Sequence, residues 1–133
     1  MQIVVAYIAT AFVFFGLDLI GLRWLIRPVF ERHIPDLLLD GYRAGPALAF
    51  YLAYIGGLLF FVSVPALRAE APLQALWQGA LFGALAYGTY EFTNYATLKA
   101  WHPNMVAVDL VWGTALTGVA AWAGVVAARS LGT

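Results

Sequence analysis

The chain contains 133 residues, of which 63% are apolar and 11% are charged. Soluble domains are usually about 45–50% apolar and about 25% charged, so this composition excludes a water-soluble globular domain. Seven basic residues balance seven acidic ones, which leaves no basic face for nucleic acid. The chain has no cysteine, so disulfides and thiolate metal sites are excluded as well. We expect one small helical membrane domain.

Four apolar segments are long enough to cross a bilayer, which takes about 20 residues. Short connections join antiparallel neighbours. The sequence therefore predicts an all-α integral membrane protein, a single domain over residues 1–133 with four transmembrane helices in an up-down bundle. The predicted spans are residues 3–26, 45–67, 73–98 and 106–128.

The connection between the first two predicted spans, residues 27–43, is long and mixed in charge. Its apolar residues recur at roughly helical spacing among charged ones, a pattern typical of helices that lie at the membrane interface. Proline interrupts helices. We therefore predict one or two short interfacial helices with breaks at Pro28 and Pro35.

Basic residues in short loops indicate the orientation of a membrane protein. Five of them fall on one side of the predicted bundle and two on the other, which places the first and third loops in the cytoplasm and both termini outside. The five are Arg23, Arg27, Arg32, Arg43 and Lys99, and the two are Arg68 and Arg129.

Three acidic residues lie inside predicted spans. Asp18 comes late in the first span, Glu91 late in the third, and Asp109 early in the fourth. In an up-down bundle these positions fall in the same leaflet, the cytoplasmic one in this orientation. Reversing the orientation would move all three together. Ionisable residues in a membrane usually face the bundle interior and mark a function.

Helical spacing brings further polar residues to the same depth. Tyr87, Glu91 and Asn94 share one face of the third span, and Asp109 and Trp112 share one face of the fourth. We predict a polar pocket lined by Asp18, Tyr87, Glu91, Asn94, Asp109 and Trp112. A structural alternative stays open, in which the acids cap or clamp helices near the headgroups and the aromatic residues only pack.

Four basic residues flank this predicted pocket, namely Arg23, Arg27, Arg43 and Lys99. They would suit an anionic headgroup or a phosphate, although ordinary positive-inside residues would look the same. Three carboxylates would favour Mg²⁺ or Ca²⁺ over zinc. No spacing in the chain is a recognised metal motif, so we predict no metal site, and the sequence requires no cofactor.

Two blocks of the chain carry a family resemblance. GALFGALAYGTYEFTNYATLKAWHP from Gly79 and VDLVWGTALTG from Val108 resemble the bacterial membrane-protein family designated domain of unknown function 2177. GPALAFYLAYIGGLLFFVSVPAL and LDLI fit the second and first spans of that family. Glu91 stands where that family leads us to expect aspartate. The tryptophan expected soon after the first-span acid is displaced to Trp24. The resemblance implies a four-span protein of the bacterial inner membrane and brings no established activity.

Three functions are compatible with these features, and whether the protein is an enzyme stays open. The first is binding or modification of a lipid or another amphiphile at the carboxylate-lined pocket. The second is a non-catalytic accessory subunit or assembly factor of a larger membrane complex. The third is proton-coupled transport, for which four spans would require a dimer. The expected partners are membrane lipids and, in the last two cases, a second copy or other membrane proteins.

Overall fold

The computed structural model describes residues 1–131, which form four long helices. In chain order these are α1 (Gln2–His33), α2 (Ala44–Arg68), α3 (Pro72–Thr97) and α4 (Pro103–Leu131). A single 3-10 turn, Pro35–Leu37, lies between α1 and α2. The described residues contain no strand.

Three of these helices, α1, α2 and α4, are long and apolar enough to cross a membrane. The fourth, α3, has 26 residues but carries more polar side chains, among them Gln74, Gln78 and Glu91. The chain is therefore an all-helical membrane protein with at least three helices of membrane-spanning character in its described part.

The first helix is longer than the predicted first span because Pro28 does not break it. Residues Leu22–Ile26 form a π turn, and regular α-helix resumes at Arg27. A proline ring inside an α-helix clashes with the carbonyl group four residues earlier, and the wider π turn relieves that clash. The expected break at Pro28 is wrong, whereas the helix does end just before Pro35. The same combination of a π turn followed by a proline occurs in α2, where the π turn Leu59–Ser63 precedes Pro65.

Helix α4 is the centre of the bundle, since α1, α3 and the second half of α2 all pack against it. Its contact with α3 is close because small residues face each other. A Cβ atom built on Gly83 would lie 2.5 Å from the carbonyl oxygen of Gly113, and one on Gly118 would lie 2.8 Å from that of Leu76. Such small-residue contacts let helix backbones approach closely in membranes.

The two halves of α2 differ in how they pack. In the second half Ile55, Leu58 and Val62 are buried against the bundle. In the first half Leu48 and Phe50 are exposed, and few residues contact the other helices. The first half therefore leaves a space between itself, the end of α1 and the second half of α3.

Candidate functional site

A cavity of about 430 Å³ occupies this space. It lies between the end of α1, the first half of α2, the second half of α3 and the start of α4. Apolar side chains from three helices, including Leu22, Ile26 and Phe50, form much of its wall. A mostly apolar cavity with a few polar groups is the usual form of a small-molecule site. The polar groups here come from two acids, five tyrosines and one arginine.

Asp18 lines the cavity from α1. It follows Thr10 and Phe14 on the buried face of that helix, at intervals of four residues. The indole Nε1 of Trp112 donates to its Oδ1 at 3.5 Å, the long limit for a hydrogen bond. Tyr51 on α2 lines the same cavity and is a neighbour of this carboxyl group. Asp18 therefore lies where α1, α2 and α4 meet beside the cavity.

Gly21 makes room for the tryptophan that holds Asp18. A Cβ atom at Gly21 would collide with the indole ring of Trp112. The glycine lies one turn after Asp18 on the same buried face of α1, so the ring can approach the helix backbone closely. The family resemblance led us to expect a tryptophan in α1 soon after Asp18. In the structure, Trp112 of α4 packs against Gly21 in that region instead.

Asp109 lines the cavity from α4, and Glu91 lies behind it on α3. Glu91 is 0% exposed, and its Oε1 accepts a hydrogen bond from Trp101 Nε1 at 2.9 Å. Its Oε2 is buried and meets no group that ordinarily donates. The carboxyl group of Asp109 lies next to Glu91, so two buried acids are neighbours at this side of the cavity.

Tyrosines supply most of the remaining polar surface of the cavity. The Tyr54 hydroxyl lies 2.9 Å from Thr117 Oγ1, which fixes the ring against α4. The Tyr87 ring packs directly over Gly113, where a Cβ atom would collide with it. The five that line the cavity are Tyr42, Tyr51, Tyr54, Tyr87 and Tyr90.

Arg27 is the cation of the cavity lining. Its Nε donates to Glu31 Oε1 at 2.7 Å, and its Nη2 donates to the carbonyl oxygen of Leu39 at 2.6 Å. The guanidinium carbon lies 5.3 Å from the centre of the Tyr42 ring. These contacts tie the end of α1 to the connection that precedes α2, and they close one side of the cavity.

The structure brings together five of the six residues of the predicted pocket. Asp18, Tyr87 and Asp109 line the cavity, Trp112 bonds to Asp18, and Glu91 neighbours Asp109. Asn94 does not line the cavity, although it lies near Tyr90, which does.

Of the four basic residues predicted beside the pocket, Arg27 alone lines the cavity. Arg23 is exposed and stacks on Trp24. Arg43 and Lys99 are exposed as well and are not part of the lining. The other three thus belong to the surface of the described chain.

Sequence reasoning gave too little weight to the tyrosines. Tyr51 and Tyr54 are three residues apart on α2, as are Tyr87 and Tyr90 on α3, a spacing that places each pair on one helix face. Two such pairs in a membrane protein were the signal for an aromatic wall. In the described part of the chain, no group of three or more His, Asp or Glu residues is arranged to hold a metal ion.

Comparison with known proteins gives one result. The model of the family described as "Predicted membrane protein (DUF2177)" matches residues 3–126, nearly the whole chain. The chain therefore belongs to this family. No curated protein and no solved structure matches it.

Proposed function

Starting from membership in this family of predicted membrane proteins, we propose that the protein binds an amphiphile in the cavity between α1, α2, α3 and the start of α4. The polar end of the ligand would lie near Asp18 and Asp109, and its chain would leave beside Phe50. The observation that carries this proposal is the cavity itself, which has apolar walls, buried acids on one side and a loosely packed half-helix on another.

Exposed side chains at the edge of the cavity support a sideways entry. Phe50 on α2 is 62% exposed and Tyr90 on α3 is 53% exposed, yet both line the cavity. An opening between these two helices faces the hydrocarbon of a bilayer if both helices cross it. A lipid could then enter without passing through water.

The proposal includes the membrane arrangement. We infer that all four long helices span the bacterial inner membrane as an up-down bundle, with the connections after α1 and α3 in the cytoplasm. The polar residues of α3 that reduce its hydropathy include Glu91, which the other helices cover. Single-cysteine variants at Arg32, Lys99 and Arg68 test this directly, because the natural chain has no cysteine. Labelling of Arg32→Cys from outside intact cells would contradict the orientation.

The binding proposal is tested by filling the cavity. Ala86 lines it, whereas its neighbour Leu85 is exposed on the same helix and does not. We expect Ala86→Phe to lose most of the lipid that the wild-type protein retains in native mass spectrometry. Leu85→Phe, the matched control, should retain it. Equal retention by all three proteins would contradict binding in this cavity.

A second candidate is a subunit of a larger membrane complex or a homodimer. It is favoured by an apolar groove on α1, formed by Ile8, Phe12, Phe15 and Gly16 among others, in which Phe12 is 81% exposed. Such a groove suits a helix of another chain. Purification from native membranes in mild detergent as the isolated monomer would contradict this alternative.

A further inference from the structure

The lining of the cavity contains more acidic than basic residues. Asp18 and Asp109 line it, and Arg27 is the one cation among the lining residues, all of which the structure describes. The charge of Arg27 is already compensated by Glu31 at 2.7 Å. The acids therefore have no compensating cation of their own in the cavity wall.

Glu91 adds to this imbalance from behind Asp109. Its Oε2 is buried without an ordinary donor, although its Oε1 is bonded to Trp101. Glu91 is thus a second buried carboxyl group beside Asp109. Buried acceptors without a donor and buried charges without a partner are both costly. A positive group in the cavity beside Asp109 would compensate negative charge on this side of the wall.

The tyrosine rings provide the second attraction. A cation over the face of an aromatic ring is stabilised by the ring quadrupole, and aromatic cages are a common way to bind ammonium groups. The guanidinium of Arg27 already lies over Tyr42 in this manner. Of the remaining four rings that line the cavity, Tyr51 and Tyr87 are neighbours of Asp18 and Asp109.

Resting on the proposed function, we propose that the cavity selects amphiphiles whose polar end carries an ammonium group. The ammonium would lie between Asp18, Asp109 and the tyrosine rings. A phosphate or carboxylate in that position, with no ammonium group between it and the acids, would meet like charges. The ammonium could belong to a lipid headgroup or to a soluble alkylamine, and the test below separates these sources.

The first arm of the test uses the full chain in nanodiscs of equal parts phosphatidylethanolamine and phosphatidylglycerol with the same acyl chains. We expect native mass spectrometry to find the amine-bearing lipid retained at least about fivefold over the anionic one, which corresponds to about 1 kcal/mol of preference. Asp18→Asn and, separately, Asp109→Asn should bring this ratio towards one. Two variants are used so that misfolding of one leaves the other informative.

The second arm uses the emission of Trp112, whose indole bonds to Asp18. In phosphatidylglycerol nanodiscs, dodecylamine should change the emission, and Trp112→Phe should remove that change. A response to butylamine as well would indicate a soluble amine as the source, and a response to dodecylamine alone would indicate a lipid.

The outcomes separate the two proposals. The wild-type protein could retain both lipids equally, and Ala86→Phe could abolish that retention. This result would overturn ammonium selection and leave amphiphile binding in the cavity intact. If Ala86→Phe retains as much lipid as the wild-type protein, amphiphile binding in the cavity is overturned. Ammonium selection, which depends on it, is then overturned as well.

Discussion

At the scale of single residues, Gly21 is the clearest structural requirement beside the cavity. Gly21→Ala would push the Trp112 ring away from α1 and from Asp18. Overpacking of this kind costs about 1–3 kcal/mol. We expect the free energy of unfolding to fall by that order, measured by SDS titration of the protein in micelles, together with a shift in tryptophan emission.

Gly16 provides the matched control for Gly21. It lies on the same helix, and a Cβ atom there would meet nothing within 4 Å. Alanine is favoured over glycine inside a helix by about 1 kcal/mol, so Gly16→Ala should be neutral or stabilising. A Gly21→Ala protein as stable as Gly16→Ala would mean that Trp112 does not pack where the structure places it.

A second prediction at this scale concerns the donor to Glu91. Trp101→Phe keeps an aromatic ring against Phe30 and Tyr90 but removes the N–H that bonds to Glu91 Oε1. Loss of a donor to a buried acceptor costs about 1–3 kcal/mol, and more for a charged group. We expect a lower thermal midpoint than in Trp77→Phe, because the indole of Trp77 is exposed and its N–H does not donate to a buried carboxyl group. Equal midpoints would argue against the Trp101–Glu91 bond.

At the scale of elements, the contact between α3 and α4 should depend on a few small residues. A Cβ atom at Gly83 would come within 2.7 Å of Thr117 Oγ1 as well as close to the α4 backbone. At Gly88, on the same helix, the nearest atom would be Leu110 Cδ1 at 3.5 Å, an ordinary contact. We expect Gly83→Ala to reduce the free energy of unfolding by more than about 1 kcal/mol and Gly88→Ala to leave it unchanged or raise it. The same loss in both variants would contradict the close packing of these helices.

The elements also show how far the sequence could predict the fold. Helical spacing groups Asp18 with Phe14 and Gly21 on one face of α1. The positions of Glu91 and Asp109 along antiparallel neighbouring helices place these two acids at one level of the bundle. The π turns before Pro28 and Pro65 were not predictable, since a proline in a long apolar helix can also kink or end it.

The sequence also could not predict which half of α2 packs against the other helices. Its two halves are similarly apolar, and in a membrane an apolar side chain suits both lipid and protein, so hydropathy cannot tell which half packs. The exclusion of Lys99 and Arg43 from the cavity likewise depends on how the connecting segments fold back, which helical periodicity does not encode.

At the scale of the whole molecule, a ligand that binds only the folded protein must stabilise it. A ligand at one hundred times its dissociation constant adds about 2.7 kcal/mol. We therefore expect the amphiphile retained by the wild-type protein to raise its thermal midpoint when it is added back after delipidation. Ala86→Phe should respond much less, and Leu85→Phe should respond like the wild type. A uniform response in all three proteins would indicate a general lipid effect instead of a site.

The most direct test of a bound amphiphile is an experimental structure of the protein crystallised from a lipidic mesophase with native lipids retained. We predict elongated density that begins between Asp18, Asp109 and Tyr87 and leaves the protein beside Phe50. A dry interior, with the first half of α2 packed against α3 and no space beside Asp109, would contradict it.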